Sequence, residues 1–225
     1  MARKSKKNKK IIICVLFSCV IIGLIDIFIK PTYFLKSIIK IILFLFIPII
    51  ITKKGDRKRL RKMFNPKQNN FFKSILLGLS LLILVLFSYF ILRQYYDFSV
   101  IVPILEKSGI NEQNFWLVSL HISLINSFLE EFFFRGYSFL LLKKSMKKIF
   151  AHLFSSIIFA LYHIPIIYNW FSIPILIASI FILAVLGMLL NLLNEKNENI
   201  YNSWMSHMFV NFGINIVGLM LLGIL

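Results

Sequence analysis

The sequence predicts an all-α fold, a polytopic bundle of transmembrane helices, and three observations lead to this. The chain of 225 residues is 59% hydrophobic and only 16% charged, far more apolar than a soluble domain of that size. Its apolar residues come in runs of about 20, the length that crosses a bilayer as a helix. Its basic residues are clustered beside those runs, which is typical of the cytoplasmic ends of membrane spans.

The basic clusters predict orientation rather than nucleic-acid binding. Six basic residues lie in the first ten positions, nine between Lys53 and Lys73, and four between Lys143 and Lys148. The formal charge of +17 would suggest nucleic acid in a soluble protein. Because each cluster adjoins an apolar run, we expect the N-terminus and both loops on the cytoplasmic side of a cell membrane. We expect anionic lipid headgroups, not nucleic acid, as partners, and the Lys/Ile/Phe/Asn-rich composition indicates a bacterial source.

The apolar runs divide the chain into seven predicted spans. Residues 1–10 form a basic cytoplasmic tail, and residues 11–114 form N-terminal membrane spans around the basic loop 53–73. A re-entrant or broken helix near 165–174 would raise the number of spans to eight. The first span is expected to be a retained anchor, because no small-x-small signal cleavage site follows it. The predicted spans are Ile11–Ile29, Phe34–Thr52, Ser74–Leu92, Phe115–Leu142, Ile149–Ile166, Phe171–Leu193 and Trp204–Leu225.

Charged residues in the first two spans allow two interpretations. Asp26 lies near the outer end of the first span, and Lys36 and Lys40 lie near the start of the second. They lie at similar depth, so that they could pair. Alternatively, the lysine side chains reach the interface by snorkelling and need no contact.

The fourth span carries three charged residues, Glu130, Glu131 and Arg135, within an otherwise apolar run. A charge at the centre of a span costs at least about 2.5 kcal/mol, so each of them needs a reason to be there. Glu131 and Arg135 are four residues apart and share a helix face, where they can pair. Glu130 points away from that face and must find partners on other helices.

The candidate partners of Glu130 lie on the fifth and seventh spans. His163 lies deep in the fifth span, and Pro165 beside it removes a backbone donor and loosens the helix. His207 and Asn211 are four residues apart on one face of the seventh span. We expect these polar atoms to gather with Glu130 around a water-accessible cavity, because lipid offers no alternative partner. The alternative is a set of interhelical hydrogen bonds that hold the bundle together, each contributing about 0.6–2 kcal/mol.

Three short motifs, in this order and on these spans, resemble those of the CAAX prenyl protease-like family. These proteins, also called the CPBP or Abi family, are intramembrane endopeptidases and include bacteriocin-immunity proteins. The resemblance implies that residues 115–225 form a CPBP-like catalytic core of four spans, while residues 1–114 supply extra spans. The motifs are Glu130-Glu131-x-x-x-Arg135, Phe159-x-x-x-His163 and His207-x-x-x-Asn211.

The resemblance implies a hydrolase that cleaves a peptide bond in a membrane-associated peptide or protein. Glu130 would be the general base that activates a water, and His163 would help to hold that water. His207 and Asn211 would donate hydrogen bonds to the oxyanion of the tetrahedral intermediate. These four are the candidate catalytic residues.

The same resemblance implies supporting residues and leaves two alternatives. Glu131, Arg135 and Phe159 would support the site, the first two by their own ion pair. No metal and no other cofactor is favoured, but in a zinc-dependent version Glu130, His163 and His207 would be the metal ligands. The rival of another class is a non-enzymatic membrane immunity or binding protein, or a small transporter that uses the same residues as a proton relay.

Overall fold

The computed structural model describes residues 2–65 and 71–225, with side chains from position 5 onward. The part of the basic loop at 66–70, which includes Lys67, lies outside the described residues. So do Met1 and the side chains of Arg3 and Lys4 in the basic tail. All regular structure in the described ranges is helical, which confirms the predicted all-α class.

Seven of the described helices are long and apolar enough to cross a membrane, as predicted, and we number them as spans 1 to 7. No additional span lies at 165–174, because a short helix there, Ile164–Ile167, only completes span 5. The chain is therefore a multi-pass helical bundle. The spans are Ser5–Ile29, Tyr33–Ile51, Phe71–Leu92, Phe115–Leu140, Lys148–Ile167, Ile173–Glu195 and Tyr201–Leu221.

Shorter helices connect the spans. The helix Lys54–Lys62, which we call the basic helix, follows span 2. Its Leu60 is buried, as is Met63 just beyond its end, while most of its charged side chains face outward. A 3-10 turn at Phe98–Ile101 and a short α-helix at Val102–Lys107 lie between spans 3 and 4.

Span 4 is the central helix of the bundle. Every residue from Glu130 to Leu142 is buried. Span 4 contains two π-helical segments, His121–Asn126 and Glu131–Leu140, and the two glutamates lie where the second segment begins. π-Helical turns are uncommon and frequently occur at functional sites. Phe133 stacks on Phe44 of span 2 with ring centroids 4.1 Å apart, which ties the centre of span 4 to the N-terminal half.

Small residues let two further pairs of spans approach closely, as is common between membrane helices. Gly78 of span 3 lies directly against the ring of Phe209 on span 7. Gly187 of span 6 lies against Ser156 of span 5, where an added Cβ would come within 3.1 Å of the serine backbone. These contacts hold spans 5 and 7, which carry the candidate histidines, at fixed positions.

Candidate active site

Spans 4, 5 and 7 bring three of the candidate residues together. Oε2 of Glu130 lies 3.9 Å from Nε2 of His163 and 3.7 Å from Nε2 of His207. The proline-induced helix end explains part of this arrangement, because the α-helix of span 5 stops at Tyr162 and leaves His163 in a turn. The carboxylate thus faces two imidazoles from separate helices.

Glu130 also has a cationic partner that the sequence interpretation did not assign to it. Nζ of Lys40, on span 2, lies 2.5 Å from Oε1 of Glu130 and also donates to Oδ1 of Asn126. Lys40 is only 3% exposed, and its ammonium lies over the ring of Tyr162 at 4.9 Å. The snorkelling interpretation is therefore wrong for Lys40, because an interior carboxylate binds its ammonium group more favourably than a distant interface can.

Lys36, one helical turn before Lys40, behaves as the pairing interpretation predicted. Its Nζ lies 2.7 Å from Oδ2 of Asp26 at the end of span 1. The side chains of Lys36 and Asp26 are 21% and 8% exposed, so this pair lies nearer the surface than Lys40 and Glu130. Spans 1 and 2 are thus joined by one ion pair, and spans 2 and 4 by another.

The two oxygens of the Glu130 carboxylate have different surroundings. Oε1 accepts hydrogen bonds from Lys40, from Nδ2 of Asn126 at 3.1 Å and from the hydroxyl of Tyr162 at 3.4 Å. Oε2 faces the two histidines instead. Three donors fix Oε1, so Oε2 is the oxygen that remains free to accept a proton.

The other ring nitrogen of each histidine fixes its tautomer. Nδ1 of His207 lies 2.8 Å from Oε1 of Glu131, and an ionised carboxylate can only accept, so Nδ1 carries the proton. Nδ1 of His163 lies 2.7 Å from the backbone carbonyl of Phe159 and must donate in the same way. A neutral imidazole then has its lone pair on Nε2. Both rings therefore turn an unprotonated Nε2 toward Glu130.

The predicted ion pair of Glu131 with Arg135 is present and fully buried. Nη1 of Arg135 lies 3.2 Å from Oε1 of Glu131, and both side chains are 0% exposed. The guanidinium lies 4.0 Å above the ring centroid of Phe159, a cation–π contact. Phe159 in turn packs against the ring of His163. These three residues surround the histidines rather than the Oε2 face of Glu130.

The hydrogen bond that Asn211 makes runs to the backbone of span 4 and not to Glu130 or to a histidine. Its Nδ2 donates to the backbone carbonyl of Ile122, 3.2 Å away on span 4. One turn later, Nδ2 of Asn215 donates to the carbonyl of Ser119 and to Oγ of Ser123. The asparagines of span 7 thus join that span to the backbone of span 4 at the first π-helical segment and the turn before it. The interpretation of Asn211 missed this competing acceptor.

The side chains around Glu130 are more enclosed than a water-accessible cavity leads one to expect. Glu130 and His207 are only 2% and 5% exposed. The side chain of His163 is the most accessible of the three at 17%. Among the described residues, no group of three or more histidine, cysteine, aspartate or glutamate side chains is arranged to hold a metal ion.

Lys40, Asn126 and Tyr162 are the site residues that the motifs did not reveal. A lysine deep in an apolar span requires an acidic partner, and this signal could have joined Lys40 to the unassigned Glu130. Asn126 lies four residues before Glu130 and so shares its helix face. Tyr162 has no comparable signal, because a buried tyrosine beside a histidine is common in any helix core.

Comparison with known proteins found one match. Searches of curated proteins and of solved structures found none. Residues 112–213 match the model of a family described as type II CAAX prenyl endopeptidase Rce1-like, and the matched segment contains all three motifs. The resemblance drawn from the motifs is confirmed: residues 112–213 of this chain are similar to the CAAX prenyl protease-like family.

Proposed function

We propose that this multi-pass membrane protein is an intramembrane endopeptidase that hydrolyses a peptide bond in a membrane-associated peptide or protein. The family match over residues 112–213 supports a protease of this type. The assignment of residues rests on the different surroundings of the two carboxylate oxygens of Glu130. Donors hold Oε1, while Oε2 faces Nε2 of His163 and of His207.

In the first step, Glu130 acts as general base toward a water. Oε2 takes one proton of the water while its oxygen attacks the carbonyl carbon of the substrate. The remaining O–H of the water donates to the lone pair on Nε2 of one of the two histidines, which orients the nucleophile. Lys40, Asn126 and Tyr162 keep the carboxylate in one rotamer, so that Oε2 always faces the histidines.

In the second step, the proton on Glu130 passes to the leaving amine as the C–N bond breaks. Asn211 has one side-chain N–H beyond the one bonded to Ile122, and this N–H would serve the oxyanion. Neutral His207, with its proton on Nδ1 toward Glu131, can only accept at Nε2, so Asn211 is the oxyanion donor that the protonation states of this step allow. Loss of one oxyanion donor typically lowers the rate by roughly 10²–10³.

The charges of the site balance. Glu130 and Glu131 face Lys40 and Arg135, one cation for each carboxylate. A neutral set of this kind can remain inside a bundle, whereas an unpaired charge there would cost several kcal/mol. A proton transferred during catalysis therefore moves within a neutral cluster.

A zinc-dependent version of the same protease is the alternative. Glu130, His163 and His207 would hold the ion. The Nδ1–H groups of the two histidines already donate to the kind of acceptor that metal-bound histidines require. Zinc, when bound, would supply Lewis-acid activation of water. Two ligands of a tetrahedral zinc are about 3.3 Å apart, shorter than the 3.9 and 3.7 Å observed. Lys40 on Oε1 also places a positive charge where it would repel a metal. We therefore favour the carboxylate mechanism.

The test is cleavage by the purified protein in liposomes that contain candidate membrane-anchored peptides. We expect mass spectrometry to find new peptide termini, and activity to survive mild chelation without stoichiometric zinc. One tightly held metal per chain, lost together with activity in His207→Ala, would establish the zinc version. If no candidate is cleaved and the Glu130→Gln variant keeps full biological activity, the protein acts by binding, as an immunity protein would.

We also propose an orientation for the chain. The first turns of span 1, the basic helix and the segment after span 4 lie on one face of the bundle. Lys7 pairs with Asp56 at 2.8 Å, and Asn8 contacts Ser145. Because this shared face carries the basic clusters, we assign it to the cytoplasmic side of a cell membrane.

A further inference from the structure

A cavity of about 670 Å³ lies on the same basic face, away from Glu130. It is bounded by the first turns of span 1, the basic helix, the end of span 2 and the end of span 4. Neither the motifs nor the proposed reaction uses it. Its walls are basic and its floor is apolar. A ligand that matches both surfaces therefore needs an anionic group and an apolar part.

The walls of the cavity carry an excess of positive charge. One acidic residue, Asp56, lies among the cations, and its carboxylate is occupied by Lys7 at 2.8 Å and approached by Arg59 at 3.6 Å. The other three ammonium groups have no carboxylate within ion-pair distance among the described residues. They belong to Lys6, Lys10 and Lys53, whose side chains are exposed.

The floor of the cavity is apolar. It is formed by Ile51, which is exposed, and by the edges of the nearly buried side chains of Ile11, Tyr137 and Leu141. Ile11 begins the apolar part of span 1, and Ile51 ends span 2. The cavity therefore lies where the apolar surface of the bundle meets its polar end, which is the depth of lipid headgroups.

We propose that this cavity binds one anionic phospholipid. The phosphate diester would lie against Lys6, Lys10 and Lys53, and an acyl chain would cover the apolar floor. Basic pockets between helices at a membrane surface recognise anionic headgroups in this way. Free phosphate would satisfy the cations but leave the exposed side chain of Ile51 uncovered. The lipid is therefore the better match to both surfaces.

The proposed lipid would stabilise span 4, which carries the glutamate motif. Tyr137 lies on the same span as Glu130 and Glu131, and Leu141 follows directly after the end of that span. A ligand that binds only the folded state stabilises it in proportion to its occupancy. Binding itself requires no proteolysis, so it can be tested whether or not the protein is an enzyme.

The experiment compares lipid retention by native mass spectrometry and thermal unfolding in nanodiscs. Discs of phosphatidylcholine alone are compared with discs that also contain phosphatidylglycerol, and a third arm adds inorganic phosphate to the first. We expect one phosphatidylglycerol retained per wild-type chain and a higher unfolding temperature in its presence. Neither phosphatidylcholine nor phosphate should reproduce this.

The variant Lys6→Gln/Lys10→Gln/Lys53→Gln tests the site. Each lysine contributes about fivefold to such binding, so retention should fall by at least roughly tenfold. The matched control, Lys58→Gln/Arg61→Gln/Lys62→Gln, removes the same charge from the basic helix at positions that do not line the cavity. It should retain the lipid.

A second variant keeps the test independent of charge. A Cβ at Gly55 meets nothing within 4 Å, so Gly55→Phe can fill the cavity without altering the cations, and it should also expel the lipid. If the control variant Lys58→Gln/Arg61→Gln/Lys62→Gln lost as much lipid as the cavity variant, the attraction would be diffuse, and the proposal would be overturned. So would stabilisation by phosphate equal to that by phosphatidylglycerol, or retention unchanged in both cavity variants.

Discussion

At the scale of single residues, two ion pairs neutralise the two glutamates in the interior of the bundle. Glu131 pairs with Arg135 within span 4, while Glu130 pairs with Lys40 across from span 2. Each pair is fully desolvated. Removing one member of such a pair leaves a buried charge and costs about 3–5 kcal/mol, whereas replacing both members can be neutral. The Lys40 pair therefore couples stability to the geometry of the proposed base.

The first prediction concerns Lys40→Met. It should destabilise the protein by about 3–5 kcal/mol and lower activity, because Glu130 loses its counter-charge and its fixed rotamer. The double variant Lys40→Met/Glu130→Gln should regain stability but not activity. Lys36→Met, which breaks the more exposed pair with Asp26, is the control and should cost less. Thermal unfolding in detergent measures all four proteins, and equal losses in the two single lysine variants would contradict the account.

The second prediction concerns Glu131→Gln. The amide no longer fixes His207 by a charged hydrogen bond, and it leaves Arg135 without its counter-ion. A hydrogen bond to a charged group contributes about 1.5–3 kcal/mol, so we expect kcat to fall by roughly 10–100-fold with little change in KM. A loss confined to KM would instead indicate that Glu131 contacts the substrate.

The sequence predicts a contact only when the two residues that make it lie close together along the chain. Glu131 and Arg135 lie four residues apart, so helical periodicity alone assigns their pair. Glu130 and Lys40 lie 90 residues apart, and no periodicity relates positions on different helices. Asn211 donates to the backbone carbonyl of Ile122 on another span, and a backbone acceptor on a neighbouring helix leaves no signal in the hydropathy pattern.

At the scale of helices, the number and approximate ends of the spans follow from hydropathy, because bilayer thickness sets their length. Predicted and observed ends mostly agree within three or four residues. The π-helical segments of span 4 and the basic helix were not predicted. A π turn depends on packing around it, and a helix with few apolar residues has too weak an apolar pattern to distinguish it from a polar loop.

The third prediction concerns the packing of spans 3 and 7. A Cβ at Gly78 would lie 2.6 Å from a ring carbon of Phe209, so Gly78→Ala must displace that ring. We expect a loss of about 1–3 kcal/mol in the free energy of unfolding. Gly55→Ala, in open space on the basic helix, is the control and should be neutral or stabilising. No difference between the two in thermal unfolding would show that spans 3 and 7 are not closely packed.

At the scale of the whole molecule, the N-terminal half is part of the site and not only additional membrane anchor. Lys40 contacts Glu130, and Phe44 stacks on Phe133, so span 2 contributes both charge and packing to span 4. The family match begins only at residue 112 and does not include this span. We therefore expect residues 112–225 alone to lack a stable site.

The fourth prediction concerns the orientation of the bundle. In a background without native cysteines (Cys14→Ser/Cys19→Ser), Lys58→Cys should react with a membrane-impermeant reagent only after cells are permeabilised. Glu112→Cys lies on the loop between spans 3 and 4, on the opposite side, and should react in intact cells. Labelling of Lys58→Cys from outside would reverse the proposed orientation.

The central claim is that Glu130 activates the water that cleaves the peptide bond, and cleavage by reconstituted Glu130→Gln tests it most directly. The substitution keeps the shape of the side chain and removes the base, so we predict a fall in rate of at least about 100-fold. The double variant Lys40→Met/Glu130→Gln separates chemistry from folding, because it carries no unpaired buried charge. It should unfold near the wild-type temperature and remain as inactive as the single variant. Cleavage by either variant at the wild-type rate would contradict the account.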